Sequence, residues 1–380
     1  MLKARQCLRE IREYHSPLSE GDFDLRLDMN ESTTGCSPRV LARLRQIDAK
    51  KLALYPPREP AEQMVSALLG KSPSQVLLTN GVDEGIDLLC RAYLNPDDEV
   101  IIVVPTFAMY EIFAQSAGAN VIRVRTTAEE DFAFPTENVL QAITPRTRLI
   151  VITNPNNPTG IAVDRYAITR VAQAAADAAV LVDEAYFDYY GQTIVDQVGL
   201  QIPNLFVART FSKAYGMAGL RLGALAGPTQ HISVLRRISG PFNVNACALE
   251  VVRDALTDRQ FVTDHVNQVK EAREWFSKEI EEMGFKTWPS QGNFILVNFG
   301  EEKDYLLKQM REWGIALRDR PDLPGFIRIT IGKQKEMEVV SMGLKQALEN
   351  KRKPAQPEEA QPAASEEDQP SGSEEEQTAP

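Results

Sequence analysis

Two rhythms of hydrophobic and polar positions run along the chain, and the points where one replaces the other outline its architecture. Short, nearly continuous apolar runs occupy residues 75–79, 99–104, 120–125, 148–153, 179–182, 205–208 and 222–226. Between several of them lie segments with apolar residues at helical spacing, notably 82–93, 110–117 and 165–176. The first of these carries Ile86, Leu88, Leu89 and Tyr93 on its apolar face. Strands that are apolar at almost every position are buried on both faces, and the intervening helices supply the covering layers. The pattern therefore predicts an α/β fold with a mostly parallel central sheet. Such sheets gather ligands beyond the carboxyl ends of their strands. Asn154, Asp183 and Lys213 each follow a predicted strand, which brings three polar residues to one edge.

Outside that block the rhythm changes. Residues 1–15 are predicted to form one amphipathic helix with Leu2, Leu8 and Ile11 near one face. Helices are expected at 38–47, with Pro38 in the first turn, and at 60–69. A long helical stretch with a break covers 244–283. After Gly284 the order becomes strand, helix, strand, helix (292–298, 303–313, 326–331, 336–350), which reads as a smaller α+β domain. The expected division is an N-terminal arm at 1–35 that contributes to the small domain, a large ligand-binding domain at 36–260, and the small domain at 261–352. Residues 353–380 contain no large apolar side chain, cannot bury enough surface to offset ordering entropy, and are expected to be disordered.

Composition narrows the class. A chain of 380 residues that is 43% hydrophobic is long enough for two packed cores. Its net charge of −11 is concentrated in residues 355–380, which hold eight carboxylates and no Lys or Arg; removing them leaves about −3. That balance argues against nucleic acid as the main partner. Cys7, Cys36, Cys90 and Cys247 form no CxxC pair, and with only three histidines no metal-ligand cluster is expected. A reducing compartment is the simpler reading. The first fifteen residues are charged throughout and no apolar run approaches a membrane span, so a cytoplasmic protein without a membrane partner is expected.

Candidate chemistry centres on ARTFSKAYGMAGLRLG at 208–223. The Lys213 amine can condense with an aldehyde to form a Schiff base. The hydroxyls of Thr210 and Ser212, with Arg221 between two glycines, can hold a phosphate, and pyridoxal phosphate (PLP) carries both groups. Taken alone, Lys213 reads equally as a surface lysine after a strand. NPNNPTG at 154–160 is either a tight strand-to-helix turn or a site for Asn157 as donor to a phenolate-like oxygen. Asp183 ends a buried strand, where a carboxylate is costly unless it meets a cation, and a protonated pyridine nitrogen is such a partner. It reads alternatively as a helix N-cap. Tyr186 is placed to add a second hydrogen bond to the same oxygen. Residues 80–84 (NGVDE) join a strand to a helix, whose N-terminal N–H groups suit a phosphate. Phe107 is a core residue or a stacking partner for a flat ring. On FIRIT, Ile327 and Ile329 take one face and Arg328 the other with Thr330; Arg328 is solvated or grips a carboxylate.

In series, NPNNPTG, VDEAY and TFSKAYGMAGLRLG resemble the fold-type I, class I/II PLP-dependent aminotransferases, with matching pieces from about Tyr14 to Gly332. The resemblance implies the PLP-dependent transferase fold: a large domain with a mostly parallel sheet and a smaller α+β domain. It implies that Lys213 is the Schiff-base lysine and proton shuttle, that Asp183 pairs with the pyridine nitrogen, and that Tyr186 and Asn157 bind the ring oxygen. Phe107 takes the stacking position. Gly81, Val82, Asp83, Thr210, Ser212 and Arg221 supply phosphate contacts. Tyr55 reaches the neighbouring subunit's cofactor, which implies a homodimer with shared sites. Arg328 holds the substrate carboxylate.

Residues 27–31 (LDMNE), Tyr55-Pro56, residues 81–89 and Ser212–Gly219 are most similar to the histidinol-phosphate aminotransferase branch, which implies a step in histidine biosynthesis. Tyr14, Arg318 and Asn30 are then substrate-binding candidates, the first two for a phosphate. After Asn30-Glu31 the chain reads Ser32-Thr33-Thr34-Gly35 where the branch usually has Asn-Pro-Tyr-Gly. The implied reaction moves an amino group from histidinol phosphate or an aromatic amino acid to a 2-oxo acid such as 2-oxoglutarate. A PLP-dependent decarboxylase of a phosphorylated amino acid is the alternative, and a non-catalytic PLP-binding module a remoter one.

Overall fold

The computed structural model describes residues 2–9, 11, 13–14, 22–199 and 201–352; the tail expected to be disordered lies outside the described residues. The strands are β1 (Leu25–Leu27), β2 (Val76–Asn80), β3 (Glu99–Val104), β4 (Asn120–Arg125), β5 (Thr147–Thr153), β6 (Ala179–Asp183), β7 (Leu205–Thr210), β8 (Leu222–Ala226), β9 (Lys286–Thr287), β10 (Phe294–Asn298), β11 (Ile315–Asp319) and β12 (Phe326–Thr330).

Seven of these form one sheet in the order β2-β8-β7-β6-β5-β3-β4. Neighbours from β7 through β4 are parallel, while β8 runs antiparallel to both β7 and β2. The continuous apolar runs have a direct physical reading here. Along β6, Val180 and Val182 enter one core while Leu181 enters the other; β5 and β7 divide in the same way. A strand with two buried faces has no polar position to spare until its end. The first polar residue of β6 is Asp183, which pairs in register with Thr153 of β5 and Ala208 of β7.

The second sheet has the order β1-β11-β12-β10-β9, with β1 parallel to β11 and the other pairings antiparallel. β11 is an element the apolar pattern did not reveal, because its five residues include Arg318 and Asp319. The expected break in the long helical stretch falls at Asp258, between helices Ala246–Thr257 and Arg259–Glu282. It also divides the cores: Ala248, Val251 and Val252 pack under the large sheet, whereas Val266, Val269 and Phe276 pack under the small one. No helix among the described residues is long and apolar enough to cross a membrane.

One expectation fails. Of residues 1–15, only Gln6–Leu8 forms a helical turn among the described residues, of the 3-10 type, and Leu2 is fully exposed. A short helix without an apolar surface to bury is marginal in water. This segment is tied by charge instead: the Arg5 guanidinium donates to the carbonyls of Ser116 and Ala117, 3.0 and 3.2 Å away, at the end of helix Met109–Ala117.

Candidate active site

A cavity of about 1010 Å³ opens where the carboxyl ends of the central strands face the small sheet. Lys213, Asp183, Tyr186 and Asn157 all line it. So do Val82, Asp83, Thr210, Ser212 and Arg221 on one side, and Tyr14, Asn30, Phe107, Arg318 and Arg328 on the other. Gly81 sits directly behind Val82 at the start of helix Gly81–Tyr93. Tyr55 stands apart: it is 78% exposed and stacks on Phe242 with ring centroids 4.2 Å apart.

The Lys213 Nζ donates to the carbonyl oxygen of Met29 at 2.9 Å. Burial, aided by the positive charge of Arg328, lowers its pKa from the ordinary 10.5 to about 8. A lysine in that state supplies a neutral amine close to physiological pH, as a nucleophile or base requires. The surface-lysine alternative is excluded.

Asp183 is 4% exposed, and burial raises its carboxyl to about 6. Its Oδ1 accepts from the backbone N–H of Ala185 at 3.0 Å and its Oδ2 from the Tyr110 hydroxyl at 2.6 Å. The cap-like bond is therefore real, but it serves a turn: the following helix, Phe187–Tyr190, has Tyr186 at its N-cap. Thr153 donates in turn to the Tyr110 oxygen at 3.2 Å. Tyr110 is a site residue that the sequence reading missed. Its signal was spacing, since it lies one helical turn after Phe107 and their rings meet edge-on at 5.6 Å.

The turn reading of NPNNPTG has a hydrogen-bond basis. Asn154 Oδ1 accepts from Val163 N–H and Asn156 donates to the Pro105 carbonyl, which lock the turn. Asn157 is left for the cavity. Its Oδ1 accepts from Arg328 at 2.6 Å, so the donor end of its amide is the end available to a ligand.

Arg328 is 5% exposed, which removes the solvated alternative. It also donates to the Asp28 carbonyl, and among the described residues its Nε has no hydrogen-bond partner. No carboxylate pairs with Arg328 or Arg318 among the described residues. Arg318 instead donates to the Tyr14 hydroxyl at 3.3 Å. Two guanidinium groups with no paired carboxylate among the described residues suit an anion in that cavity. Asn30, expected at the substrate, lines the cavity and reaches the Tyr186 hydroxyl at 2.9 Å.

The remaining corner is built from backbone. Gly81 has φ +75°, and a Cβ on Gly223 would stand 2.6 Å from the Gly81 carbonyl carbon and 2.8 Å from Val82 N. Only glycine permits β8 to approach the helix start so closely. There Arg221, in a left-handed conformation at φ +54°, donates to Asp83 Oδ2 at 2.9 Å. First-turn N–H groups without intrahelical partners, two hydroxyls and an arginine are donors of the kind that could hold a phosphate. With an amine and a buried carboxylate at the other side, the donor set fits a phosphorylated aldehyde bearing a basic ring nitrogen.

Residues 24–342 match the family described as Aminotransferase class I and II. The chain belongs to that family, and the group within it is equally clear. A histidinol-phosphate aminotransferase from Geobacillus sp. (strain WCH70) is 34% identical over 339 residues, covering 86% of this chain and 91% of that one. One from Moorella thermoacetica is 32% identical over 365 residues, covering 91% and 93%. Among solved structures, histidinol-phosphate aminotransferase from Sinorhizobium meliloti, in complex with pyridoxal-5'-phosphate, superposes with a TM-score of 0.83 at 22% identity, covering 92% of this chain and 98% of that one. At 20% identity, an aspartate aminotransferase mutant from Thermus thermophilus gives 0.77 with 91% and 100% coverage, so the architecture is that of fold-type I aminotransferases.

Proposed function

We propose that this chain is a PLP-dependent aminotransferase that takes the amino group of histidinol phosphate and passes it to a 2-oxo acid such as 2-oxoglutarate. The observation that carries the reading is the shared cavity: a neutralisable Lys213 amine and a buried Asp183 carboxylate at one end, Arg318 and Arg328 without counter-charges at the other. PLP bound there supplies an aldehyde for amines to condense with and a ring that accepts the electron pair left when an α-proton departs.

The chain's own residues do the rest. Lys213 Nζ would take the proton from the donor's α-carbon and return it on the far side of the transferred nitrogen, at the carbon that carried the cofactor's aldehyde, acting as base and then as acid. Asp183 keeps the ring nitrogen protonated. The Asn157 amide and the Tyr186 hydroxyl donate to the ring oxygen, Phe107 covers the ring, and the cradle from Gly81 to Asp83 with Thr210, Ser212 and Arg221 holds the phosphate. Arg318 with Tyr14, and Arg328, receive the substrate's anionic end. That end is a phosphate monoester in histidinol phosphate and a carboxylate in the amino-acid partner.

The exposed Tyr55–Phe242 stack, flanked by the exposed Leu52 and Leu54, supports a homodimer whose partner is reached by Tyr55. The division into arm, large domain and small domain at residues 35 and 260, and a cytoplasmic location, belong to the same reading. Product analysis tests it. Incubation with histidinol phosphate and 2-oxoglutarate should yield glutamate and a carbonyl product. Carbon dioxide release from a phosphorylated amino acid would favour the decarboxylase, and equal turnover of phenylalanine or tyrosine would make the donor aromatic.

A further inference from the structure

Asn30 sits at the crossing of four hydrogen bonds in a fully buried place, 1% exposed. Its backbone N–H donates to Thr330 Oγ1 at 3.0 Å, and Thr330 Oγ1 lies 3.1 Å from Asn30 Oδ1. Its Nδ2 lies 2.9 Å from the Tyr186 hydroxyl, and its carbonyl accepts from Asn293 Nδ2 at 3.1 Å. The directions of these bonds are not free. A backbone N–H can only donate, so the Thr330 oxygen accepts there, and its single proton must go elsewhere. Thr330 is 0% exposed, and Asn30 Oδ1 is the acceptor in reach. Turning the amide round would leave that proton without an acceptor in a water-free place, which costs more than the bond itself. The amide is thereby fixed with its NH2 towards Tyr186. An amide NH2 has no lone pair to offer, so the Tyr186 oxygen accepts at that contact and its own proton points away, towards the cavity.

We propose that Thr330 is a positioning residue that sets the direction of the Tyr186 hydroxyl proton through Asn30, so that Tyr186 donates to the cofactor's ring oxygen. The inference rests on the functional reading above. It also explains why this asparagine adopts a left-handed backbone, φ +53°: that turn aims both its backbone N–H and its side-chain oxygen at one hydroxyl. Tyr186 is otherwise held by packing, 4% exposed and edge-on to Phe294 at 5.0 Å. The charged and titratable groups around it are Arg328 of β12, Asp183 at the end of β6, Tyr14 of the N-terminal segment, Tyr110 and Tyr189, with Lys213 in the same cavity. None of them is altered by the test.

The test is the pH titration of the visible absorbance of the PLP-loaded full chain. A hydrogen bond donated to the ring oxygen stabilises its ionised form and weakens its hold on the proton shared with the lysine nitrogen. Without the donor that proton is held more tightly, and the midpoint moves up. Thr330→Val keeps the shape and removes the hydroxyl, which frees the amide to turn its oxygen to Tyr186 and draw the tyrosine proton away. We expect its midpoint to rise by roughly one to two pH units, the size of a hydrogen bond to a charged group. Tyr186→Phe should rise similarly, the double variant no further, and Thr330→Ser should titrate like the unaltered protein. Asn30→Asp, whose carboxylate can only accept from Tyr186, should rise too and serves if Thr330→Val does not fold. Thr330→Val or Asn30→Asp titrating at the unaltered midpoint while Tyr186→Phe shifts would overturn the proposal, as would additive shifts in the double variant. Absence of any visible band from the unaltered protein with PLP would overturn the functional reading beneath it.

Discussion

The two ends of the cavity are built by different means. At the carboxyl ends of β5, β6 and β7 the polar groups are extensions of strands buried on both faces, so their positions follow from sheet register: Thr153 beside Asp183, and Asp183 beside Ala208. There Arg221 is paired with Asp83, and the Asp183 carboxylate accepts from Ala185 and Tyr110. At the other end Arg318 and Arg328 face each other across adjacent strands of the small sheet, in register, with Tyr14 arriving from the N-terminal segment. There, among the described residues, the guanidinium groups have neutral partners only. The arginine of one end is charge-paired before any ligand arrives; among the described residues the two of the other end are not. In our reading this separates a permanent tenant from a transient one: cofactor chemistry at the compensated end, exchangeable anions at the open end.

The most severe way to break that division is to remove the reactive amine of the strand-end side. Lys213→Ala should lower turnover by roughly 10³-fold or more, since a positioned acid–base group contributes about that much, while PLP still binds through the phosphate cradle. Equilibrium dialysis beside steady-state rates would check both halves, and retained turnover would sink the assignment. The unaltered protein offers a pH companion. Burial lowers Lys213 to about 8 instead of 10.5, so its amine is charged below that pH and neutral above it. The rate at which added PLP generates a visible band in the cofactor-free protein should therefore climb through pH 8; a climb centred near 10 would mean an exposed lysine.

The same contrast decides what the sequence made legible. NPNNPTG, VDEAY and TFSKAYG each carry a strand end and its reactive residue within a few positions, so local pattern and chemistry coincide. The mostly parallel central sheet of the large domain, buried on both faces, was also readable from periodicity, whereas its strand order was not. At the open end, contacts join residues far apart in the chain: Thr330 meets Asn30 at a separation of 300, and Arg318 meets Tyr14 at 304. Alternation along β12 placed Arg328 and Thr330 on one face but could not say what that face would meet. β11 went unseen because a strand carrying Arg318 and Asp319 lacks the apolar signature. Tyr110 was hidden for the converse reason: an aromatic at helical spacing reads as core, which by burial it is.

A substitution at the open end should separate binding from chemistry. Arg318→Ala removes one of two uncompensated cations, and truncating one partner of a charge-assisted contact costs about 2–5 kcal/mol. KM for histidinol phosphate should rise roughly 10²-fold, with a smaller change in kcat and little change for dephosphorylated histidinol. Equal losses with both donors would show that Arg318 supports the fold of the site instead of reading the phosphate.

The smallest expected effect probes the compensated end, where Tyr110→Phe deletes a single hydroxyl. Burial already holds Asp183 near 6, and the Tyr110 hydrogen bond opposes that rise. Without it the carboxyl moves further up, towards neutrality, and more of the cofactor-free protein carries a protonated Asp183 at pH 7. A protonated carboxyl cannot pair with a cationic ring nitrogen, so PLP affinity at pH 7 should fall roughly tenfold, the size of one hydrogen bond to a charged group. The sign gives the prediction its edge. The group is an acid whose pKa is raised, so the deficit must shrink as pH increases and Asp183 ionises in both proteins, becoming small above about pH 8.5. Fluorescence titration with PLP at several pH values would follow this. A constant deficit would mean that Tyr110 acts by packing alone, and no deficit would mean that the carboxylate is held by Ala185 and the sheet without help from the tyrosine.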